Sequence, residues 1–266
     1  MIPQQLHIYS LYSGSTGNSF LFSLPQGAVL IDAGKNAKAL CEALKETGVA
    51  PEDIRAVFVT HEHRDHIGAL PVFLKKHPIP VHLPLSCVYR FENQPAAEAC
   101  LCPHPPIHTE TVCGMRFTSF PTPHDSRGSV GYRIEILDEG GDGPVCCIGY
   151  ATDIGYVSDT VEKALTGCQA VILESNHDPE LLWSGSYPED LKVRISSRRG
   201  HLSNPDSAAL AAHLCATGTE SLMLAHLSQE NNRPEIAYEV CLASVGSDRV
   251  HISVAQPDEV TEMVLT

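Results

Sequence analysis

The chain opens with short hydrophobic runs separated by small and polar residues. Leu6–Tyr12, Ser19–Ser23 and Ala28–Ile31 read as β-like, and Gly14, Gly17 and Gly27 punctuate them as turns. Ala37–Gly48 changes period, with Leu40, Ala43 and Leu44 on one helical face. Arg55–Thr60 is a short apolar run that reads as a buried strand, Ile67–Lys76 as a helix and Val81–Leu83 as another strand. Pro84–Glu110 is rich in Pro and Cys and shows no clear period. Beyond it, strand-like segments recur at Met115–Phe120, Ser129–Leu137, Val145–Ala151, Gln169–Glu174, Ser221–Ala225 and Val250–Val254. Helical spacing appears at Val157–Thr166, Asn204–Thr217 and Pro234–Ser247. Strands in two halves, each accompanied by helices, predict two packed sheets with helices outside. The expected fold is therefore α/β, a four-layer αββα sandwich. No repeat, low-complexity tract or long linker divides the chain, so residues 1–266 read as a single domain.

With 266 residues and 43% hydrophobic content, the chain can bury a sizeable core. No apolar stretch reaches the roughly 18 residues that a spanning helix needs. Met1–Gln5 lacks the basic-then-apolar start of a secretory signal. These features predict a cytoplasmic protein that does not enter a membrane. The ten cysteines do not have the spacing of a small disulfide scaffold and read as reduced core residues, as in Val145-Cys146-Cys147-Ile148. Cys100-Leu101-Cys102-Pro103-His104 has no second pair at zinc-site spacing. The net charge of −14 excludes a broad cationic coat for nucleic acid. It leaves room for a nuclease with local phosphate contacts, because bound metal ions are the largest charges in such a site.

The strongest chemical signal is Thr60-His61-Glu62-His63-Arg64-Asp65-His66, directly after an apolar strand. Imidazole and carboxylate suit zinc, iron and manganese. A loop leaving a strand can turn His61 and His63 to one position and Asp65 and His66 to another. Two ions about 3.5–4 Å apart then share a water. Glu62 and Arg64 read as supporting residues.

The pattern His61-x-His63-x-Asp65-His66 resembles the signature of the metallo-β-lactamase superfamily. The resemblance implies that His61 and His63 hold a first ion and Asp65 and His66 a second. It also implies three later ligands at strand ends: His124, a bridging Asp153 and His226. Asp65 would further accept a hydrogen bond from the attacking water. Ser13–Asn18, Arg199-Gly200-His201-Leu202-Ser203-Asn204 and His226–Asn232 extend the likeness to the YycJ/WalJ-like group. That implies a DNA exonuclease acting from the 5′ end with two divalent ions, zinc first and manganese or iron as alternatives. Cys100–Pro106 departs from the group's pattern.

The small-residue loop with Ser13, Ser15, Thr16 and Asn18 reads either as an anion nest for substrate or as a tight turn. Lys192, Arg194, Arg198 and Arg199 form a basic run that is either a solvated face or a phosphate contact. His201 precedes a well-marked helix start, with Ser203 as N-cap, Pro205 in the first turn and Asp206 three residues after the cap. It is placed to hold a phosphate oxygen or to protonate the leaving oxygen, a role that resembles His-x-Ser/Thr segments in ribonucleases of the superfamily. The alternative is a structural histidine tying the loop to the helix. Two other functional classes compete with a nuclease. One is a small-molecule hydrolase of the same fold, acting on a thioester, lactone, lactam or cyclic phosphodiester. The other is a non-catalytic regulatory protein, which would be expected to have lost ligands.

Overall fold

Alternation along the strands decides how the layers stack. In β2 (Ser19–Leu24), Phe20 and Phe22 face one way and Leu21 the other; in β3 (Gly27–Ile31), Val29 and Ile31 oppose Leu30. The first set meets residues of a second sheet, and the second set meets helices. The computed structural model describes residues 6–138 and 143–265. The N-terminal reading of Met1–Gln5 falls outside the described residues.

The first sheet runs β1 (His7–Tyr12), β2, β3, β4 (Ile54–Phe58), β5 (Val81–Pro84) and β6 (Leu101–His104), with β14 (Thr261–Glu262) laid antiparallel against β1. The second runs β7 (Thr109–Val112), β8 (Met115–Pro121), β9 (Val130–Leu137), β10 (Pro144–Ala151), β11 (Ala170–Glu174), β12 (Ser221–Ala225) and β13 (His251–Val254). In each sheet the strands from β3 to β6 and from β10 to β13 pair in parallel. Parallel pairing aims all their C-terminal ends at one edge of the sandwich, where loops can converge.

Helices α1 (Ala37–Thr47), α2 (Arg64–Ile67), α3 (Leu70–Phe73) and α4 (Pro95–Glu98) flank the first sheet, and their buried residues include Leu40, Leu44, Leu70 and Phe73. Over the second sheet, α5 (Asp159–Leu165), α8 (Asn204–Ala216) and α9 (Pro234–Val245) bury Val161, Leu165, Leu210, Leu214 and Cys241. The result is the expected αββα order. Near the convergent edge Tyr132 donates its hydroxyl to Val59 O (2.8 Å) and Val130 N donates to Thr60 O (3.1 Å), which fixes one sheet against the other.

Several boundaries differ from the sequence reading. The single helix expected over Ile67–Lys76 is two short ones, α2 and α3. Ala69 N donates to Ala33 O (2.9 Å), which takes it out of the helical ladder, and a Cβ on Gly68 would meet Lys35 O at 2.5 Å. The unassigned stretch Pro84–Glu110 holds a 3₁₀ segment (Leu85–Phe91), α4, β6 and the start of β7. Two further helices, α6 (Pro179–Ser184) and α7 (Glu189–Ile195), form an arm between β11 and α8. All ten cysteines are free thiols, as their spacing predicts. No helix among the described residues is long and apolar enough to cross a membrane.

Candidate metal centre

Three residues where the chain leaves strand ends adopt left-handed backbone: Asp32 after β3 (φ 60°), Asp153 beyond β10 (φ 58°) and His226 after β12 (φ 58°). This region is unfavourable by roughly 1–2 kcal/mol for L-residues. Strain of this kind at a cluster of polar side chains marks a functional centre. Each reversal turns its side chain into the convergent edge.

Asp32 organises the histidine loop. Its carboxylate accepts from Thr60 N (2.8 Å), Thr60 Oγ1 (2.9 Å) and His66 Nδ1 (2.7 Å). His66 Nε2 is thereby fixed toward Asp65 Oδ2 (3.2 Å) and Asp153 Oδ2 (3.4 Å). His226 Nε2 lies 3.7 Å from Asp65 Oδ2 and 3.6 Å from Asp153 Oδ1. His124 Nε2 is 3.5 Å from Asp153 Oδ1 and 3.4 Å from His63 Nδ1, and the His61 and His63 ring centroids are 4.5 Å apart. The donors therefore sort into two groups, His61–His63–His124 and Asp65–His66–His226, each able to bring one atom per residue within 4.8 Å of the others. Asp153 contacts both groups through its two oxygens.

The fit to cations is visible in what this cluster leaves unsatisfied. His61 Nε2, Asp153 Oδ2 and His226 Nε2 are buried and have no hydrogen-bond partner among the described residues. Each such atom costs roughly 1–3 kcal/mol unless something meets it. Cations held at the converging donors would satisfy all three. The charges of the cluster point the same way. Burial opposes ionisation of Asp153, but His226, His66, His61 and His124 outweigh it and hold the carboxyl well below its usual range. Burial would lower His226, yet Asp153, Asp65 and Glu174 push it up to about 10. His66 is likewise raised, against burial, by Asp65, Asp153 and Asp32, whereas burial drives His61 well down.

The family profile described as the Beta-lactamase superfamily domain matches residues 28–227. The chain belongs to this superfamily. Within it, the chain is 34% identical over 232 residues to the exodeoxyribonuclease WalJ of Streptococcus pneumoniae, covering 86% of this chain and 84% of that one. It is 33% identical over 236 residues to the exodeoxyribonuclease YycJ of Bacillus anthracis, covering 87% and 86%. Its fold matches the metallo-β-lactamase fold protein YhfI of Bacillus subtilis, with a TM-score of 0.73 and 16% identity over 97% of this chain and 99% of that one. The resemblance to the YycJ/WalJ-like group thus extends across most of the sequence. As a metallo-hydrolase of this superfamily the protein uses divalent ions, and its imidazole and carboxylate donors suit them.

The superfamily's metal edge also holds residues that the sequence reading did not single out. Asp32 is one and Glu174 the other. Glu174 ends β11, is completely buried and accepts four hydrogen bonds. Its Oε1 takes His201 Nδ1 (2.8 Å) and His226 Nδ1 (3.0 Å), and its Oε2 takes Ile154 N (2.7 Å) and Leu202 N (3.0 Å). Burial would raise its pKa, but His201 and His226 bring it down to about 2. The carboxylate therefore aligns both histidines by their Nδ1–H and leaves each Nε2 free. His201 itself is partly exposed and lines a cavity beside the cluster.

The remaining candidate residues divide. Ser13 and Asn18 are buried, and Ser13 Oγ accepts from His226 N (2.8 Å) while Asn18 Oδ1 accepts from Gly14 N (2.9 Å). Ser13, Gly14, Gly17 and Asn18 all donate their amides within the protein, and Ser13 braces His226. Ser15 and Thr16 are exposed and line grooves. Arg199 donates to His124 O (3.2 Å), and the Arg198 guanidinium lies 3.9 Å over the Tyr156 ring. Both guanidiniums are engaged with protein groups. His82 of β5 gathers with His104 and Glu110 of the Cys- and Pro-rich segment, but His82 Nδ1 and His104 Nε2 are 2.9 Å apart, a hydrogen bond between themselves.

Proposed function

We propose that this chain is an exodeoxyribonuclease that hydrolyses DNA from its 5′ end. The observation that carries the chemistry is the Glu174–His201 pair, a buried carboxylate orienting a histidine at the edge of a metal cluster. DNA as substrate follows from the relatives' names, and the 5′ polarity from the resemblance of the loop and His201 segments to the YycJ/WalJ-like group. His61, His63 and His124 would hold one divalent ion and Asp65, His66 and His226 the other, with Asp153 between them. The histidine-rich donor set favours zinc, with manganese or iron as alternatives. Bound there, the ions supply an activated water and draw charge from the phosphoryl oxygens.

The chain's own residues supply the rest. Asp32 and Glu174 hold His66 and His226 in the tautomer that leaves Nε2 as the donor atom. Asp65, at the cluster's half-exposed side, accepts a hydrogen bond from the attacking water. His201, its Nδ1–H held by Glu174, delivers a proton from Nε2 to the leaving oxygen. The free thiols fit a reducing compartment, the cytoplasm.

The test combines substrate and variant. End-labelled single- and double-stranded DNA, RNA, a closed DNA circle and a thioester are offered to the metal-loaded protein. Release from 5′ DNA ends, with the circle intact, is expected. His201→Ala should keep both metals and Tm while kcat falls about 10²–10⁴-fold. Cutting of the circle without end dependence overturns the exonuclease reading. Thioester hydrolysis with nucleic acid untouched establishes the small-molecule reading instead. Unchanged turnover in His201→Ala removes its acid role, and loss of metal recasts it as a ligand.

A further inference from the structure

Beside His201 lies a cavity of about 190 Å³. One wall is formed by Tyr187, Leu191 and Ile195 from the α6–α7 arm, and the other includes Ser15 and Ser228. The arm is braced internally and tied to the body at its base. Lys192 Nζ donates to Trp183 O (2.9 Å), Asp178 N donates to Asn231 O (2.9 Å), and a Cβ on Gly185 would meet Leu181 O at 2.7 Å.

The lining selects among parts of a nucleotide. Its one arginine, Arg194, is paired with Asp125, so the cavity offers no uncommitted guanidinium to a phosphate. The rest of the lining is mixed: Ser15, Asn176, His201 and Ser228 are polar, and the Tyr187 ring with Leu191 and Ile195 supplies the apolar part, a combination that suits a flat group with a polar edge. The volume is below the roughly 300 Å³ at which pockets for drug-sized ligands begin. That volume is of the order of a single base. The same arm exposes Trp183 (48%) and Val193 (53%), apolar surface that a folded chain leaves in water only sparingly.

We propose that this cavity receives the unpaired base of the nucleotide next to the scissile phosphate, with the Tyr187 ring stacked on it. The proposal rests on the nuclease reading above and deepens it: the enzyme engages a single-stranded end, and a duplex end must fray before it is cut. Stacking on an aromatic ring is indifferent to base identity, which suits an enzyme that degrades any sequence.

The test compares two single-stranded oligonucleotides of one length, identical except that the second has an abasic site at its 5′-terminal nucleotide. Wild-type protein should show a KM for the base-bearing strand about tenfold or more below that for the abasic one. Tyr187→Ala should raise KM for the base-bearing strand to the abasic value with metal content unchanged, and Tyr187→Phe should keep the preference. Equal KM values for the two strands in the wild type overturn the subsite whether or not any variant folds. An equal loss on both strands in Tyr187→Ala overturns the stacking role. Wild-type protein that cuts duplex DNA but neither strand overturns the single-stranded-end proposal, and protein that cuts no DNA at all refutes the nuclease reading itself.

Discussion

Replacing Glu174 by glutamine changes one atom's chemistry and almost no volume, yet it cannot preserve the hydrogen bonds. The carboxylate accepts from four donors, two backbone amides on Oε2 and two imidazoles on Oε1. An amide can accept on only one side. If its NH2 faces Ile154 N and Leu202 N, two buried backbone donors lose their acceptor, at roughly 1–3 kcal/mol each. Backbone amides cannot change protonation, whereas imidazoles can, so the NH2 should face the histidines. His226 and His201 then become acceptors at Nδ1 and carry their proton on Nε2. That removes the donor atom His226 would present to a cation, and it strips His201 of the Nδ1–H that Glu174 holds, so the ring could release its Nε2 proton only by becoming an anion. Loss of an outer partner of this kind typically weakens metal affinity or activity 10–100-fold, and a disabled general acid adds about 10²–10⁴. Glu174→Gln should therefore lose at least about 10²-fold in kcat and about tenfold or more in affinity for one ion, with the fold intact by circular dichroism. Chelator competition and single-turnover kinetics on one preparation measure both. A variant that keeps two tightly bound ions and wild-type turnover would refute the role assigned to this carboxylate.

Two further outcomes follow from the cluster. Because Asp153 contacts both donor groups, Asp153→Ala should weaken both ions together, and elemental analysis showing full occupancy in that variant would remove it from the bridging position. Because His226 is pushed up to about 10, the metal-free site is protonated there at neutral pH, and His66, also raised, adds to this. Loading an ion must displace those protons, so affinity should climb with pH up to about 10, by about tenfold per unit for each proton displaced; release of at least one proton per chain in weakly buffered solution is expected, and pH-independent affinity between about 6 and 9 would contradict it.

What the sequence revealed about the site depended on whether a residue acts directly or through another. The His61–His66 loop was legible because its donors are packed into six positions after an apolar strand. Asp32 and Glu174 went unnoticed because each is a lone acid at the end of a strand. A signal was present: both continue runs that are otherwise wholly apolar, Leu30-Ile31-Asp32 and Ile172-Leu173-Glu174. A charge buried that deeply is prohibitive without a partner, so each implied a donor elsewhere. The αββα order was readable from periodicity, but α6 and α7 are only 6 and 7 residues long, too short to show a helical period. In β6 a proline masked the strand; Pro103 is tolerated there because β6 is the outer strand of its sheet. The loop from Ser13 to Asn18 is open to two readings because Gly, Ser and Asn serve turns and anion nests alike; in the structure the amides of Ser13, Gly14, Gly17 and Asn18 are committed within the protein, and Ser15 and Thr16 are exposed.

The pairing of β1 with β14 bears on how the molecule is made. Ser10 lies opposite Thr261, Met263 N donates to Ile8 O, and Ser13 N donates to Gln256 O, so the first sheet receives its outermost strand from residues synthesised about 250 positions later. The donor atoms are spread in the same way, from His61 to His226. A ribosome-bound chain that has emerged as far as the histidine loop therefore has neither a closed sheet nor a complete cage for an ion. Contacts so distant in sequence form late and slowly, because a long loop must be ordered before they are gained. Selective metal capture thus belongs to the finished polypeptide, and the nascent chain offers passing ions only the open His61–His66 fragment.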